Sequence, residues 1–215
     1  MYKAIIFDID GTLADTNQLI LESFNFISLK YLNSKFDFNE LTKYFGPPEN
    51  YLFQQLFKDN FEDAASDYYH FYAMNFHNYV VVFNEIIQAV KLLKNNNIIL
   101  AIYTGKGNSS TYITLEKLGI FHLFDEIMTG DNLPSYKPNP IGIMNFIEKY
   151  NLKNDEVILF GDTLTDIKAA KGAGIPVGIF LWASYHKEII FNHKPNFVFF
   201  TPLSFDYFIR TNYNI

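Results

Sequence analysis

The stretch Ala4-Ile5-Ile6-Phe7-Asp8-Ile9-Asp10-Gly11-Thr12 constrains this chain more than any other, because an apolar run stops there abruptly at two carboxylates. Four consecutive apolar residues fit a strand buried on both faces, the kind found in the parallel sheets of α/β folds. The acids then stand at its carboxyl end. In an open α/β sheet that edge gathers loops and helix N-termini, and ligands bind there. Side chains repeat every two residues along a strand, so Asp8 and Asp10 are expected to point the same way. Gly11 permits a turn too tight for a Cβ and lets backbone N–H groups crowd around an anion. Two carboxylates held close together repel unless one is protonated or a cation lies between them, and a divalent metal is the natural remedy. The plain alternative is an acidic turn that only caps a strand, so the rest of the chain has to decide.

Downstream, Leu19, Ile20, Phe24, Ile27 and Tyr31 recur at helical spacing and predict an amphipathic helix over Asn17–Leu32. Further helical patterns cover about 39–45, 49–57 and 61–79, with no convincing strand between them. Seventeen of the 39 aromatic residues lie between positions 24 and 79, enough to give this helical stretch a core of its own. Alternation of strand and helix resumes at Val80. A helix over 84–94 leads to a strand over 98–103 that ends in Thr104-Gly105-Lys106-Gly107. A helix over 109–118 closes at Gly119, and a short strand at Glu126–Met128 precedes a loop carrying Pro134, Lys137, Pro138 and Pro140. The helix over 141–150 feeds a strand over 157–160, which also ends in acids, Gly161-Asp162-Thr163-Leu164-Thr165-Asp166. A helix over 167–171 and strands at 175–181 and 197–200 complete an expected sheet of five or six strands. The predicted organisation is an α/β core of residues 1–14 and 80–215, with a helical insertion over 15–79.

Composition removes several functional classes. With 49% hydrophobic and 19% charged residues the chain has the material for a core and is not disordered. No apolar run approaches the roughly 18 residues that would cross a bilayer, so no membrane partner is expected. Met1 and Tyr2 lead directly into the first strand, leaving no room for a signal peptide, and a cytoplasmic location is expected. The absence of cysteine excludes disulfides, thiolate metal sites and a cysteine nucleophile. The net charge is −6 and the only arginine is Arg210, so a nucleic-acid partner is not expected. For the same reason lysines and backbone amides, rather than a guanidinium fork, must hold any phosphate far from Arg210.

Parallel strands that end in polar, glycine-containing loops bring those loops to one edge, however distant they are in sequence. Asp8 and Asp10, Thr104 with the amides freed by Gly105, Lys137, and the pair Asp162 and Asp166 would meet there. Oxygen donors without cysteine or clustered histidine favour octahedral Mg²⁺ over zinc.

With these motifs in their order, the chain resembles the haloacid dehalogenase-like hydrolase superfamily. Within it, the resemblance is to the phosphatase branch with a small helical cap, which includes phosphoglycolate phosphatase-like and β-phosphoglucomutase-like members. Asp8-Ile9-Asp10-Gly11-Thr12 matches the first motif of that superfamily, Thr104 the second, Lys137 the third, and Gly161-Asp162-Thr163 with Asp166 the fourth. The resemblance implies a Rossmann-like core with an inserted α-helical cap, and a Mg²⁺-dependent phosphatase of a small phosphorylated metabolite. It implies that Asp8 attacks phosphorus to form an aspartyl phosphate and that Asp10 is the general acid and base. Mg²⁺ would be held by Asp8, the carbonyl of Asp10 and Asp162, supported by Asp166, Gly161 and Thr163. Thr104, Gly105, Lys137 and the amides of Ile9 and Asp10 would hold the phosphoryl oxygens. The superfamily's dehalogenases lack an acid two residues after the nucleophile, and Asp10 occupies that position here. Its sugar-phosphate mutases anchor a second phosphate in the cap, often with arginine, whereas the loop Phe45-Gly46-Pro47-Pro48-Glu49 has no basic residue. Gly107-Asn108-Ser109-Ser110 also lacks an arginine that many relatives carry. A mutase, or a non-catalytic binding protein on the same fold, remains the alternative. Phosphoglycolate, pyrophosphate, sugar phosphates and nucleoside monophosphates all stay open as substrates, and a monomer and a homodimer as assemblies.

Overall fold

The computed structural model describes residues 1–184 and 187–213. The opening apolar run is β1 (Ala4–Phe7), and its four side chains are wholly inaccessible to solvent. The chain then turns through β2 (Ala14–Asp15) into four helices, α1 (Asn17–Leu32), α2 (Phe38–Thr42), α3 (Glu49–Phe57) and α4 (Phe61–Tyr79). It returns through β3 (Val81–Val82), which pairs antiparallel with β2. The remaining elements alternate: α5 (Asn84–Asn95), β4 (Ile99–Tyr103), α6 (Asn108–Lys117), β5 (Glu126–Met128), α7 (Ile141–Lys149), β6 (Val157–Gly161) and α8 (Leu164–Ala173). Last come β7 (Val177–Phe180), α9 (Lys187–Asn192), β8 (Phe197–Phe199) and α10 (Pro202–Tyr213).

The described residues form one six-stranded parallel sheet in the order β5-β4-β1-β6-β7-β8, a Rossmann-like α/β core with an inserted α-helical cap. The chain steps outward from β1 to β4 and β5, then crosses back to place β6 on the other flank of β1. That reversal of direction puts the ligand crevice at the carboxyl end of β1. Register sets the level: Phe7 lies beside Ile102 and Phe160, so the polar residues after β1, β4 and β6 emerge along one edge.

Both faces of the sheet are covered, as uninterrupted apolar strands require. Ile5 and Phe7 pack with residues of α5 and α10, while Ala4 and Ile6 pack with residues of α7 and α8. Phe160 stacks between Phe7 and Phe180 at centroid distances of 5.7 and 5.6 Å, with the edge of Phe205 at 4.9 Å. A separate cluster joins α1, α3 and α4, centred on Phe24, Phe53 and Tyr68.

Several elements differ from the sequence expectation. The two-stranded ribbon β2-β3 lies at the foot of the cap; its strands are too short to show a period and exist by pairing across the 65 positions between Asp15 and Val81. Helix α10 was not expected, although Phe205, Ile209 and Tyr213 repeat every four residues and are buried together. Tyr213 ties it back to β1 by donating to the carbonyl of Tyr2 at 2.9 Å. Helix α9 also lies beyond the expected elements. Helix α8 begins three residues earlier than its apolar pattern predicts, because the Asp166 carboxylate accepts from Thr163 N–H at 3.0 Å and caps the first turn. Among the described residues no helix is long and apolar enough to cross a membrane.

Phe160 touches both neighbouring strands and the covering helix, so its truncation leaves a cavity that no single element can close. Phe160→Ala is expected to lower stability by about 3–5 kcal/mol. Urea unfolding should report it as a lower midpoint at unchanged slope.

Candidate active site

Asp8 is the first residue beyond β1, and its N–H donates to the Phe160 carbonyl at 2.9 Å. Its backbone is therefore pinned to the neighbouring strand. One carboxylate oxygen accepts from Ile9 N–H at 2.8 Å, an amide expected to face the substrate, and the other lies 2.7 Å from Lys137 Nζ. The same ammonium is 2.7 Å from Asp166 Oδ1. Asp162 leaves the end of β6, and Asp166 projects from the first turn of α8. Oxygens of Asp8, Asp162 and Asp166 all lie within 4.8 Å of one another, and all three residues are buried. Two glycines make this crowding possible. A Cβ on Gly161 would stand 2.2 Å from Asp166 Cγ, and one on Gly11, where φ is +76°, would stand 2.2 Å from Asp162 Oδ2.

Three carboxylates against one ammonium leave two formal negative charges in a dry place. Burial pushes the Asp162 carboxyl well above its usual range, and the charges of Asp166 and Asp8 push it further. Burial also drives Asp8 up to about 6, with Asp166 and Asp10 adding and Lys137 opposing. Burial alone would lower Lys137, but Asp166 and Asp8 hold its ammonium above the ordinary lysine range. Asp162 Oδ1 is buried without a hydrogen-bond partner. An orphaned carboxylate oxygen, an all-oxygen donor set and a residual charge of −2 fit a hard divalent cation.

Asp10 belongs to the same cavity but not to this trio. β1 ends at Phe7 and the chain has turned by Asp10, so the two-residue alternation expected to align the acids stops short of it. Its carboxylate accepts from Thr16 Oγ1 and pairs with Lys106 Nζ at 3.2 Å. Lys106 leaves the turn after β4 and is buried, with the ring of Tyr72 from the cap 4.9 Å away. Burial would depress its ammonium, but the charges of Asp10, Tyr72 and Glu49 raise it. Thr104 is buried beside it, its hydroxyl oxygen accepting from Lys106 N–H at 3.3 Å. Gly105 passes so close to the cap that a Cβ would stand 2.9 Å from the Gly46 carbonyl oxygen.

The cap is seated on this edge. Glu49, at the start of α3, accepts from Gly107 N–H at 2.8 Å and from Ser110 Oγ. Asp131 accepts from Asn108 N–H at 2.7 Å. Carboxylates thus meet the free amides that open α6, where the helix dipole favours negative charge. Between cap and core lies a cavity of about 130 Å³, reached by Asp8, Asp10, Thr104, Gly105, Lys106, Lys137 and Thr163 from the core, and by Ile20, Phe24, Leu52 and Tyr68 from the cap. Arg210 lies elsewhere, paired with Asp206 on α10. Sequence reasoning passed over Lys106 and Glu49. Lys106 stood in plain view between the two glycines of a strand-end loop, whereas Glu49 offered no signal, since only the docking of α3 brings it to α6.

Comparison with known proteins identifies the family. The family model for haloacid dehalogenase-like hydrolases matches residues 5–180. The chain belongs to that family and is a hydrolase. It is similar to the pyrophosphatase PpaX of Bacillus pumilus, 26% identical over 196 residues that cover 91% of each chain. A second PpaX, from Halalkalibacterium halodurans, is 27% identical with the same coverage. Among solved structures, a predicted phosphoglycolate phosphatase from Haemophilus somnus superimposes with a TM-score of 0.82 at 27% identity, covering 94% of this chain and 95% of that one. CbbY from Rhodobacter sphaeroides shares the fold at a TM-score of 0.79 and 20% identity, over 94% and 95% of the two chains.

The raised Asp8 carboxyl gives the metal-free protein a pH signature. Between the unfolded value near 4 and about 6, folded Asp8 holds a proton that the unfolded chain has released, so its contribution to stability is full at low pH and lost as pH rises through 6. In EDTA, wild type should lose up to about 3 kcal/mol of stability relative to Asp8→Asn from pH 4 to pH 7. A divalent cation held there would favour the ionised carboxylates, so added Mg²⁺ is expected to raise the wild-type melting temperature more at pH 7.5 than at pH 5. Paired melts across that range, with and without Mg²⁺, check both.

Proposed function

We propose that the chain is a cytoplasmic, Mg²⁺-dependent phosphatase of small phosphorylated metabolites that acts through an aspartyl phosphate on Asp8, with residues 15–79 as its cap. One observation carries the reading: Asp8 and Lys137 reach a cavity beneath the cap with the buried Asp162 and Asp166 gathered behind them, and a fourth carboxylate, Asp10, lines the same cavity.

Asp8, Asp162, the Asp10 carbonyl and Asp166 in support would hold the metal, which when bound offsets the repulsion between an attacking carboxylate and a phosphoryl group. An oxygen of Asp8 attacks phosphorus in line while the bond to the leaving oxygen breaks, which divides one difficult displacement into two easier ones. Asp10 donates a proton to the departing oxygen and then takes one from the water that releases phosphate. Lys137, Thr104 and the amides near Gly105 hold the phosphoryl oxygens. The cap keeps bulk water out during transfer, and the β2-β3 ribbon is where it would hinge.

Other readings fit less well. A halide leaves without a proton and has no use for Asp10. A mutase must hold a second phosphate, yet the cap contributes no basic side chain to the cavity lining. A cavity of about 130 Å³ is far below the roughly 300–1,000 Å³ of sites for drug-sized ligands, in keeping with a small substrate. The activities by which the relatives are named, pyrophosphatase and predicted phosphoglycolate phosphatase, are both phosphoryl hydrolyses and support this class.

Phosphate release from a panel of phosphate monoesters and pyrophosphate in Mg²⁺ tests it. Asp8→Asn should fall to background, and Asp10→Asn should lower kcat by about 10²- to 10⁴-fold. Acid quenching during turnover should trap a phosphoryl group on the peptide carrying Asp8. A wild-type chain indistinguishable from Asp8→Asn on the whole panel would contradict the proposal.

A further inference from the structure

The turn after β4 lines the cavity with Thr104, Gly105 and Lys106, and its two sides are held by different parts of the molecule. On the core side Thr104 N–H donates to the Met128 carbonyl at 2.9 Å, and Gly130 N–H donates to the Lys106 carbonyl at 2.9 Å. The turn ends at Gly107, the residue before α6, which has no side chain to satisfy the free groups at the start of that helix. Glu49 of the cap takes that part. The buried N–H of Gly107 donates to one oxygen of its carboxylate at 2.8 Å, and the buried Ser110 hydroxyl donates to the other. Both bonds are made to a charged acceptor at the positive end of a helix, the setting in which such bonds are strongest.

The backbones are shaped for this contact. A Cβ on Gly105 would stand 2.9 Å from the Gly46 carbonyl oxygen, one on Gly107 would stand 3.2 Å from Glu49 Oε1, and one on Gly130 would stand 3.1 Å from Pro48 Cβ. Three bare positions on the core thus receive the cap loop 46–49 against the turn. With the phosphatase reading as the basis for what the turn does, we propose that Glu49 is a positioning residue. From the cap it fixes Gly107 and the first turn of α6, and through them it holds Thr104 and Lys106 in place for a phosphorylated substrate. A turn ordered in advance adds no ordering cost when substrate binds, whereas a loose one weakens apparent affinity by the fraction of molecules in which it is formed.

Glu49→Ala removes the acceptor of Gly107 N–H directly, so the diagnostic amide is that of Lys106, whose bond to the Thr104 hydroxyl at 3.3 Å does not involve Glu49. Residue-resolved hydrogen exchange on the free protein should show both amides exchanging about tenfold faster or more in the variant, the scale of a lost hydrogen bond to a charged group, with the cap core at Phe53 and Tyr72 unchanged. Glu49→Gln, which keeps one acceptor oxygen, should recover part of the protection. In turnover, Glu49→Ala should raise KM by about tenfold or more on whichever phosphate ester or anhydride wild type hydrolyses, and leave kcat within about threefold. Ser110→Ala, which removes one anchor of the carboxylate, should move the same quantities in the same direction by less, and it carries the test if Glu49→Ala fails to fold. An unchanged Lys106 amide, exchange that rises equally throughout the cap core, or a fall in kcat at constant KM overturns the assignment. Exchange is measured without substrate. Inactivity of wild type on every substrate would therefore overturn the phosphatase reading, while the Lys106 amide would still decide whether Glu49 orders the turn.

Discussion

One ammonium holds the catalytic edge together. Lys137 lies 2.7 Å from both Asp8 and Asp166, and without it three carboxylates would share a buried space with nothing to separate their charges. One partner is not enough to neutralise three acids. Burial first, and the remaining charge after it, keep Asp162 and Asp8 above the usual carboxylate range, and that charge makes the site fit a divalent cation. Removing Lys137 would raise the electrostatic penalty of the edge, and removing a carboxylate would leave the lysine buried and underpaired. The arrangement is therefore a poor device for stability, and its donor set and charge fit a divalent cation.

The sheet makes that crowding possible. β1 lies between β4 and β6 with Phe7 level with Ile102 and Phe160, so the loops that follow carry their polar groups to one height. Strands buried on both faces cannot slip by one residue without moving apolar side chains to the wrong face. The aromatic stack of Phe7, Phe160 and Phe180 adds a layer directly beneath the acids. Stability is concentrated under the site, and the close contacts at Gly11 and Gly161 are borne by a rigid floor.

The cap follows a different principle. It has its own aromatic core around Phe53 and Tyr68, and it meets the α6 region both through Ile113 and Leu118, which pack against that core, and through polar contacts. Glu49 reaches the amides that open α6, and Tyr72 meets Thr114 at 2.9 Å. Tyr72 also faces Lys106, so the seated cap helps to enclose the cation that pairs with Asp10.

Much of this was legible in the chain. Apolar runs of four to six residues ending in Asp-x-Asp-Gly, Thr-Gly-Lys-Gly and Gly-Asp-Thr declared buried parallel strands with polar ends, and the long helical patterns declared the insertion, because burial on two faces and helical period both leave marks in local sequence. What lacked a local mark was missed. The ribbon of β2 and β3 exists only by pairing across the whole cap, and Glu49 acquires a role only when α3 docks on α6. The sequence by itself determined the sheet, the helical insertion and the candidate acids, since each depends on neighbours a few positions away. Only the tertiary structure decided which charges meet, separating Asp10 with Lys106 from Asp8 with Lys137, because Coulomb interactions depend on distance in space and not on distance along the chain.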